Sequence, residues 1–254
     1  MATYQEFPSS RRLARYIECY WARADRDGTR YHIVLPDGCV DVLYSASGGE
    51  PIGLSIVGLM TVRQVIDVEP GVSLFGVRFR PGMAAAFFPD APHLIDRTEQ
   101  LESVIGASAR TILEQLSESH GPASKAQVFD ALLRPFEPPD IRETVMHRLS
   151  VSGMPLDRVA TEAGLSARHL RRLCQEMSGV PPKYLARIIR FRNAANRIAA
   201  FTTSPAQPEW AQFAVACGYY DQAHLIREFQ EFSGCTPGRY LQYAAGRDPL
   251  VSRS

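Results

Sequence analysis

Short apolar runs broken by glycine and proline fill roughly the first 115 residues, and longer stretches with a helical period fill the rest. In the first part, "RYHIVLPDGCVDVLYSA" sets two apolar stretches around Pro36-Asp37-Gly38. There Pro presets φ and Gly accepts a positive one, so the chain is expected to turn. "LSIVGLM", "VRQVIDV" and "VSLFGVRFR" follow at short spacing, rich in the Val, Ile and Phe that strands favour. "PGMAAAFF" predicts a short helix begun by Pro81, and longer helices are expected over 103–118 and 124–134. The expected fold class is α+β: a β-rich barrel or sandwich with helices at its end, followed by an all-α domain.

The texture changes between His120 and Asp140, where Pro138-Pro139 stops any helix and stiffens the chain. The reading divides the chain into a β-rich sensor or dimerisation domain over 1–118, a helical linker over 119–139, a helical domain over 140–246, and a tail over 247–254. In the helical part "PLDRVATEAG" opens with Pro155 and Asp157 and stops at Gly164. "PKYLARIIRFRNAANRIAAF" carries Leu185, Ile188, Ile189, Ala195 and Ile198 along one broad face.

The helical part also repeats itself. "HLRRLCQEMSGVPPKYL" from His169 matches "HLIREFQEFSGCTPGRYL" from His224 at a constant offset of 55 residues. The shared positions include Arg172/Arg227, Gln175/Gln230, Glu176/Glu231 and Pro182/Pro237. Upstream the match continues at offset 54, pairing Ala160, Gly164 and Leu165 with Ala214, Gly218 and Tyr219. Each copy has the grammar of a helix-turn-helix, at 156–177 and at 209–232. Ser166 and Asp221 stand where they would cap the second helix of each. At 100° per residue Leu170, Leu173, Cys174 and Met177 share one face of the first such helix, while Arg168, Arg171, Arg172 and Gln175 share the other. The second copy places Leu225, Phe229 and Phe232 inward and Gln222, Ala223, Ile226, Arg227 and Gln230 outward.

Charge sharpens this picture. The net charge of +1 conceals 13 basic against 17 acidic residues over 1–139, and 15 against 10 over 140–254. Between Ser166 and Arg197 eight Lys and Arg face only Glu176. Arg168 and Arg172 are like charges one turn apart, near a helix N-terminus whose dipole they oppose. A polyanion against that face reverses both penalties, and a solvated basic face would not need two copies in tandem.

At this point the pattern resembles the DNA-binding domain of the AraC/XylS family of bacterial transcription regulators. The matching stretches are "LDRVATEAGLSARHLRRLCQEMSGVPPKYL" and "FAVACGYYDQAHLIREFQEFSGCTPGRYL". The resemblance implies two helix-turn-helix subdomains joined by a long helix, here about 182–201, each placing its second helix in the major groove. A helix of about 19 residues spans ~28 Å, comparable to the ~34 Å helical repeat of DNA. Carried over by position, it implies base-edge or groove contacts from Arg168, Arg171 and Arg172 in the first unit. In the second it implies Gln222, His224, Ile226 and Arg227. Ser166, Lys183 and Arg190 are the implied phosphate contacts. One departure is "FTTSPAQPEW" ahead of the second unit, where Trp210 is expected as a core plug. "YIECYW", "VLPDGCVDVLYS" and "GVRFRPGMAAAFF" resemble, more loosely, sensor domains attached to members of that family, without naming a ligand.

In the first domain Asp37, Cys39 and Asp41 alternate, with His32 upstream. Metal, redox and ligand-pocket roles stand there beside plain turn and core roles. Arg78 could meet a carboxylate ligand or pair with Asp37 and Asp41. Tyr20 and Trp21 could line an aromatic effector pocket or simply fill the core. These six residues (Tyr20, Trp21, Asp37, Cys39, Asp41 and Arg78) are the candidate effector site. No GxSxG, HExxH, Walker or GxGxxG motif occurs, so neither catalysis, cofactor nor metal is expected.

The reading is a cytoplasmic, sequence-specific regulator whose partners are double-stranded DNA, a small-molecule effector, a second copy of itself and, for an activator, RNA polymerase. The helices over 103–118 and 124–134 are the expected dimer surface. Two alternatives stand: a repair-type enzyme with Cys39 as nucleophile, and a constitutive regulator whose first domain only dimerises. Five dispersed cysteines suit a reducing compartment, and the opening "MATYQEFPSSRRL" has no apolar core of a secretion signal. No apolar run approaches a membrane span, and 45% hydrophobic with 22% charged residues is an ordinary globular balance.

Overall fold

The structure, a computed structural model, describes residues 3–24, 31–135, 141–150, 155–203 and 208–245. Its first half is organised by one antiparallel sheet. The strands are β1 (Thr3–Phe7), β2 (Ile17–Ala24), β4 (Val40–Ser47), β5 (Glu50–Val57), β7 (Val72–Phe79) and β8 (Thr98–Gln100), in the order β1-β2-β7-β4-β5-β8. β3 (Tyr31–Val34) and β6 (Gln64–Asp67) form a separate two-stranded ribbon. The α+β class is as expected, but the barrel is not closed: among the described residues β1 and β8 are edges that pair on one side. The Pro36-Asp37-Gly38 turn explains the difference. It does not fold β3 back on β4. β3 pairs with β6 while β4 pairs with β5 and β7, so the turn carries the chain from ribbon to main sheet.

Period-two alternation gives the sheet two faces of different character. Val40, Val42, Tyr44 and Ala46 of β4 are buried with Phe75, Val77 and Phe79 of β7. That face is covered by α1 (Leu101–Ile105), α2 (Ser108–Glu118) and α3 (Gly121–Leu132). Where one helix is expected over 103–118, Gly106 breaks it into α1 and α2, and "PGMAAAFF" yields a 3-10 turn at Met83–Ala86. Phe129 of α3 stacks on Tyr20 and Phe75 at 6.3 and 6.1 Å between centroids. Such a fully buried ring contributes about 2–3 kcal/mol.

The second half is helical: α4 (Ile141–Ser150), α5 (Leu156–Glu162), α6 (Ala167–Ser178), α7 (Pro182–Ala200), α8 (Trp210–Ala216), α9 (Gln222–Ser233) and α10 (Pro237–Ala244). α7 runs through the middle and buries Leu185, Ile188, Ile189, Phe191, Ala194, Ala195 and Ile198. Its apolar stripe serves α6 on one side and α9 and α10 on the other. It also meets the first half: Leu185 and Ile189 lie against the turn glycine Gly38, and Tyr184 Oη donates to the Thr61 carbonyl at 3.3 Å. Trp210 is half-buried at the start of α8, edge-on to Phe213 at 5.7 Å. Pro138-Pro139 and Pro205 lie outside the described residues. No helix among the described residues is long and apolar enough to cross a membrane.

Candidate nucleic-acid interface and sheet-face cavity

The repeat in the sequence is a repeat in hydrogen bonding. In the first unit the α5 turn is closed by Ala163 N to Val159 O (3.1 Å), Gly164 N to Thr161 O (3.1 Å) and Leu165 N to Ala160 O (2.8 Å). Fifty-four residues on, Cys217 N donates to Phe213 O (3.0 Å), Gly218 N to Val215 O (3.0 Å) and Tyr219 N to Ala214 O (3.0 Å). Ser166 Oγ accepts from His169 N at 3.2 Å, and Asp221 Oδ1 accepts from His224 N at 2.7 Å, so both predicted residues cap their helices. Both second helices end on a left-handed glycine, Gly179 (φ 76°) and Gly234 (φ 74°).

The outward faces are open. On α6 Arg168, Arg171, Arg172 and Gln175 are all exposed, and among the described residues the counter-charge beside them is Glu176, 3.7 Å from Arg172 Nε. On α9 Gln222, Ala223, Arg227 and Gln230 are exposed, while Ile226 and His224 are half-buried. His224 is turned back into its own unit. Its ring stands edge-on to Tyr219 at 5.3 Å, its Nδ1 accepts from Tyr220 N at 3.4 Å, and its Nε2 lies 3.5 Å from Glu228.

Glu228 is the functional-face neighbour that the sequence reading missed. It is buried on α9 and accepts from Arg187 Nε at 2.8 Å and from Arg190 at 2.6 and 3.3 Å, both on α7. Arg187 reaches Glu231 as well, at 2.5 Å. Arg190, an implied phosphate contact, thus has its guanidinium held by Glu228 and over the Tyr219 ring at 4.9 Å. Lys183 is exposed at the start of α7. Glu228 aligns with Leu173 in the first unit, and that exchange of Leu for Glu opposite two arginines was the available signal.

The other sheet face holds the second cluster. Trp21, Asp41 and Arg78 project from β2, β4 and β7 to the side opposite Tyr20, which is buried with its hydroxyl donating to Asp130 at 2.8 Å. Tyr20 is therefore core, and the proposed aromatic pair is split between two faces. Arg78 Nε lies 3.5 Å from Asp37 and 3.3 Å from Asp41, so the internal pairing is the one formed. Trp21 Nε1 donates to Asp41 at 2.8 Å. The indole lies across Gly76, its cross-strand partner, where any Cβ would overlap the ring. Asp37 serves its turn by accepting from Cys39 N at 2.8 Å. Burial raises the Asp41 carboxyl to about 6, against the opposing pull of Arg78.

Cys39 is buried beneath this cluster, with Arg192 of α7 3.3 Å from its sulfur and Glu18 at 3.5 Å. Burial pushes its thiol well above the ordinary value, which works against a nucleophilic role. Arg192 also donates to Glu18 at 3.0 Å, joining α7 to β2. Among the described residues no group of three His, Cys, Asp or Glu could hold a metal ion. Between this sheet face, the β3–β6 ribbon and α7 lies a cavity of about 810 Å³. Trp21, Asp37, Asp41 and Arg78 line it, and Phe191, Arg192 and Tyr240 close it from the helical half.

Comparison with known proteins divides the chain in the same way. Residues 5–99 match a domain of unknown function (DUF6597), and residues 159–243 match a helix-turn-helix domain. No curated protein sequence matches. Among solved structures, ToxT from Vibrio cholerae O395 is similar at 10% identity, with 97% of this chain and 98% of that chain covered and a TM-score of 0.43. An unsaturated-fatty-acid-bound wild-type ToxT from Vibrio cholerae strain SCE256 matches at 10% identity, 100% and 97% coverage and a TM-score of 0.42. Residues 159–243 form a helix-turn-helix domain of the AraC type.

Proposed function

We propose that the protein is an effector-responsive regulator that reads two successive major grooves with α6 and α9. The observation that carries the reading is the doubled helix-turn-helix, capped and closed by the same hydrogen bonds, with a cationic outward face on α6. Arg168, Arg171 and Arg172 are the principal base-edge readers, since arginine can grip guanine O6 and N7 together. Gln222 and Arg227 are their counterparts on α9. Ile226 and His224 reach DNA only by apolar or edge contact, because both are half-buried. Ser166 and Lys183 serve the phosphates, and Arg190 does so only by leaving Glu228.

The first domain, residues 1–118, carries the effector site, joined through 119–139 to the DNA-binding domain over 140–246. The cavity supports this assignment because α7, which connects the two helix-turn-helix units, forms one of its walls. A ligand there touches the element on which both reading helices are mounted. Binding measured across a salt series tests the DNA half of the proposal: log K falls steeply and linearly with log salt as counterions are released. A slope near zero contradicts it. The effector half is tested by Leu43→Trp, which fills the cavity from β4. It changes DNA affinity if the cavity is coupled to α7, and leaves it unchanged if the first domain only dimerises.

A further inference from the structure

We infer that the sheet-face cavity takes an organic cation, an amine or quaternary ammonium group carried on an apolar body of roughly one or two rings. The inference rests on the effector reading and adds the class of ligand. A cavity of about 810 Å³ is in the range of small-molecule sites. Its apolar wall comes from Leu43, Leu74, Ile33 and Ile66, so a ligand must bring an apolar body.

The charges decide the sign of the polar group. Six carboxylates line the space, from Glu6, Glu18, Asp37, Asp41, Asp67 and Glu69. Among the described lining residues three guanidiniums face them, from Arg23, Arg78 and Arg192. The described lining therefore carries a formal net charge of −3, concentrated between low-dielectric walls that focus the field. An anionic ligand would have to recruit those same arginines. Arg78 lies between Asp37 and Asp41 at 3.5 and 3.3 Å, and Arg192 is held by Glu18 at 3.0 Å. A carboxylate placed against Arg78 would also stand beside two aspartates. A cation meets unspent acceptor capacity, since of the Asp41 oxygens Oδ1 receives the indole N–H.

The rings make the same choice. Trp21 and Tyr4 stand at 6.1 Å between centroids with planes inclined by 33°, and Tyr240 lines the cavity from α10. Ring faces beside carboxylates are the arrangement that binds ammonium groups, each face contributing about 0.5–2 kcal/mol. Trp21 also lies across Gly76 and donates to Asp41, so its position is fixed before any ligand arrives.

The test uses Trp210→Phe protein, in which Trp21 is the sole tryptophan and reports on the cavity. Phenethylamine and benzyltrimethylammonium are titrated beside the matched carboxylate 3-phenylpropionate and the neutral 2-phenylethanol, with calorimetry as a second readout. Both cations are expected to bind and to change Trp21 emission, with the carboxylate and the alcohol much weaker. Asp41→Asn should weaken the cations by at least about tenfold. Should that variant melt early, Glu69→Gln at the rim provides the same test with a smaller loss. Preference for the carboxylate or the alcohol overturns the cation inference and leaves the effector site standing. Failure of every probe to bind also overturns it, and the Leu43→Trp measurement on DNA then judges the effector reading separately.

Discussion

The two helix-turn-helix units share a turn, a cap and a C-terminal glycine, yet they differ in where their charge is placed. In the first, Leu173 fills the buried side of α6, and Arg168, Arg171 and Arg172 all face outward. In the second, Glu228 occupies the equivalent buried position and draws Arg187 and Arg190 of α7 into an internal network. The outward positions of α9 are correspondingly less basic, with Ala223 and Ile226 in place of Arg168 and Arg171. One unit leaves its arginines exposed, and the other is held to the connector by cations of α7. A duplicated motif thus places its charge differently while its backbone geometry stays the same.

Breaking the anchor should produce the largest effect. Glu228→Leu installs the first unit's residue but takes the carboxylate from half-buried Arg190 and leaves Arg187 with Glu231 alone. Urea unfolding is expected to show a loss of about 3 kcal/mol, since removing one partner of a buried ion network leaves uncompensated charge. An unchanged midpoint would mean that the network adds no stability and that the two units are equivalent in packing.

Next in size is the reading contrast itself. Arg168→Ala and Arg172→Ala should each weaken specific DNA binding by about 1–3 kcal/mol with no change in melting temperature. Arg227→Ala should cost about 1 kcal/mol, because glutamines rather than further arginines accompany it on its face. Equal losses in the two units would erase the proposed division of labour.

The caps offer a control in which the units should agree. Ser166→Ala and Asp221→Ala each remove one acceptor from a helix start, and both are expected to lower stability by about 1 kcal/mol. A difference larger than the cap itself would show that one residue has a further partner. Smallest is Lys183→Ala, which should reduce the salt slope by about 1 and weaken binding evenly across DNA sequences. Sequence-dependent weakening would make Lys183 a base reader.

Which features were legible in the sequence follows the range of the interactions behind them. The caps Ser166 and Asp221 and the inward residues of α6 follow from local periodicity, and the offset between copies makes each reading check the other. Trp21, Asp41 and Arg78 share a face because strands alternate, and the same alternation sends Tyr20 to the opposite side. Residues whose roles depend on distant segments were not legible. Glu18 and Arg192 meet across 174 positions of sequence, and Glu228 finds its partners about 40 positions away on α7. The open sheet was missed for the same reason. Nothing local in "VLPDGCVDVLYS" says that the strands flanking its turn belong to different sheets.

The central claim is that α6 and α9 each read DNA and that α6 reads it more strongly. The most direct test is selection of bound sequences from a random duplex library by the wild type, by Arg168→Ala/Arg172→Ala and by Gln222→Ala/Arg227→Ala. The wild type should select a motif of two elements about 10 base pairs apart, one helical turn. The first variant should lose the stronger element and keep the weaker, and the second variant should do the reverse. A single element, or two elements relaxed equally by either variant, would contradict it.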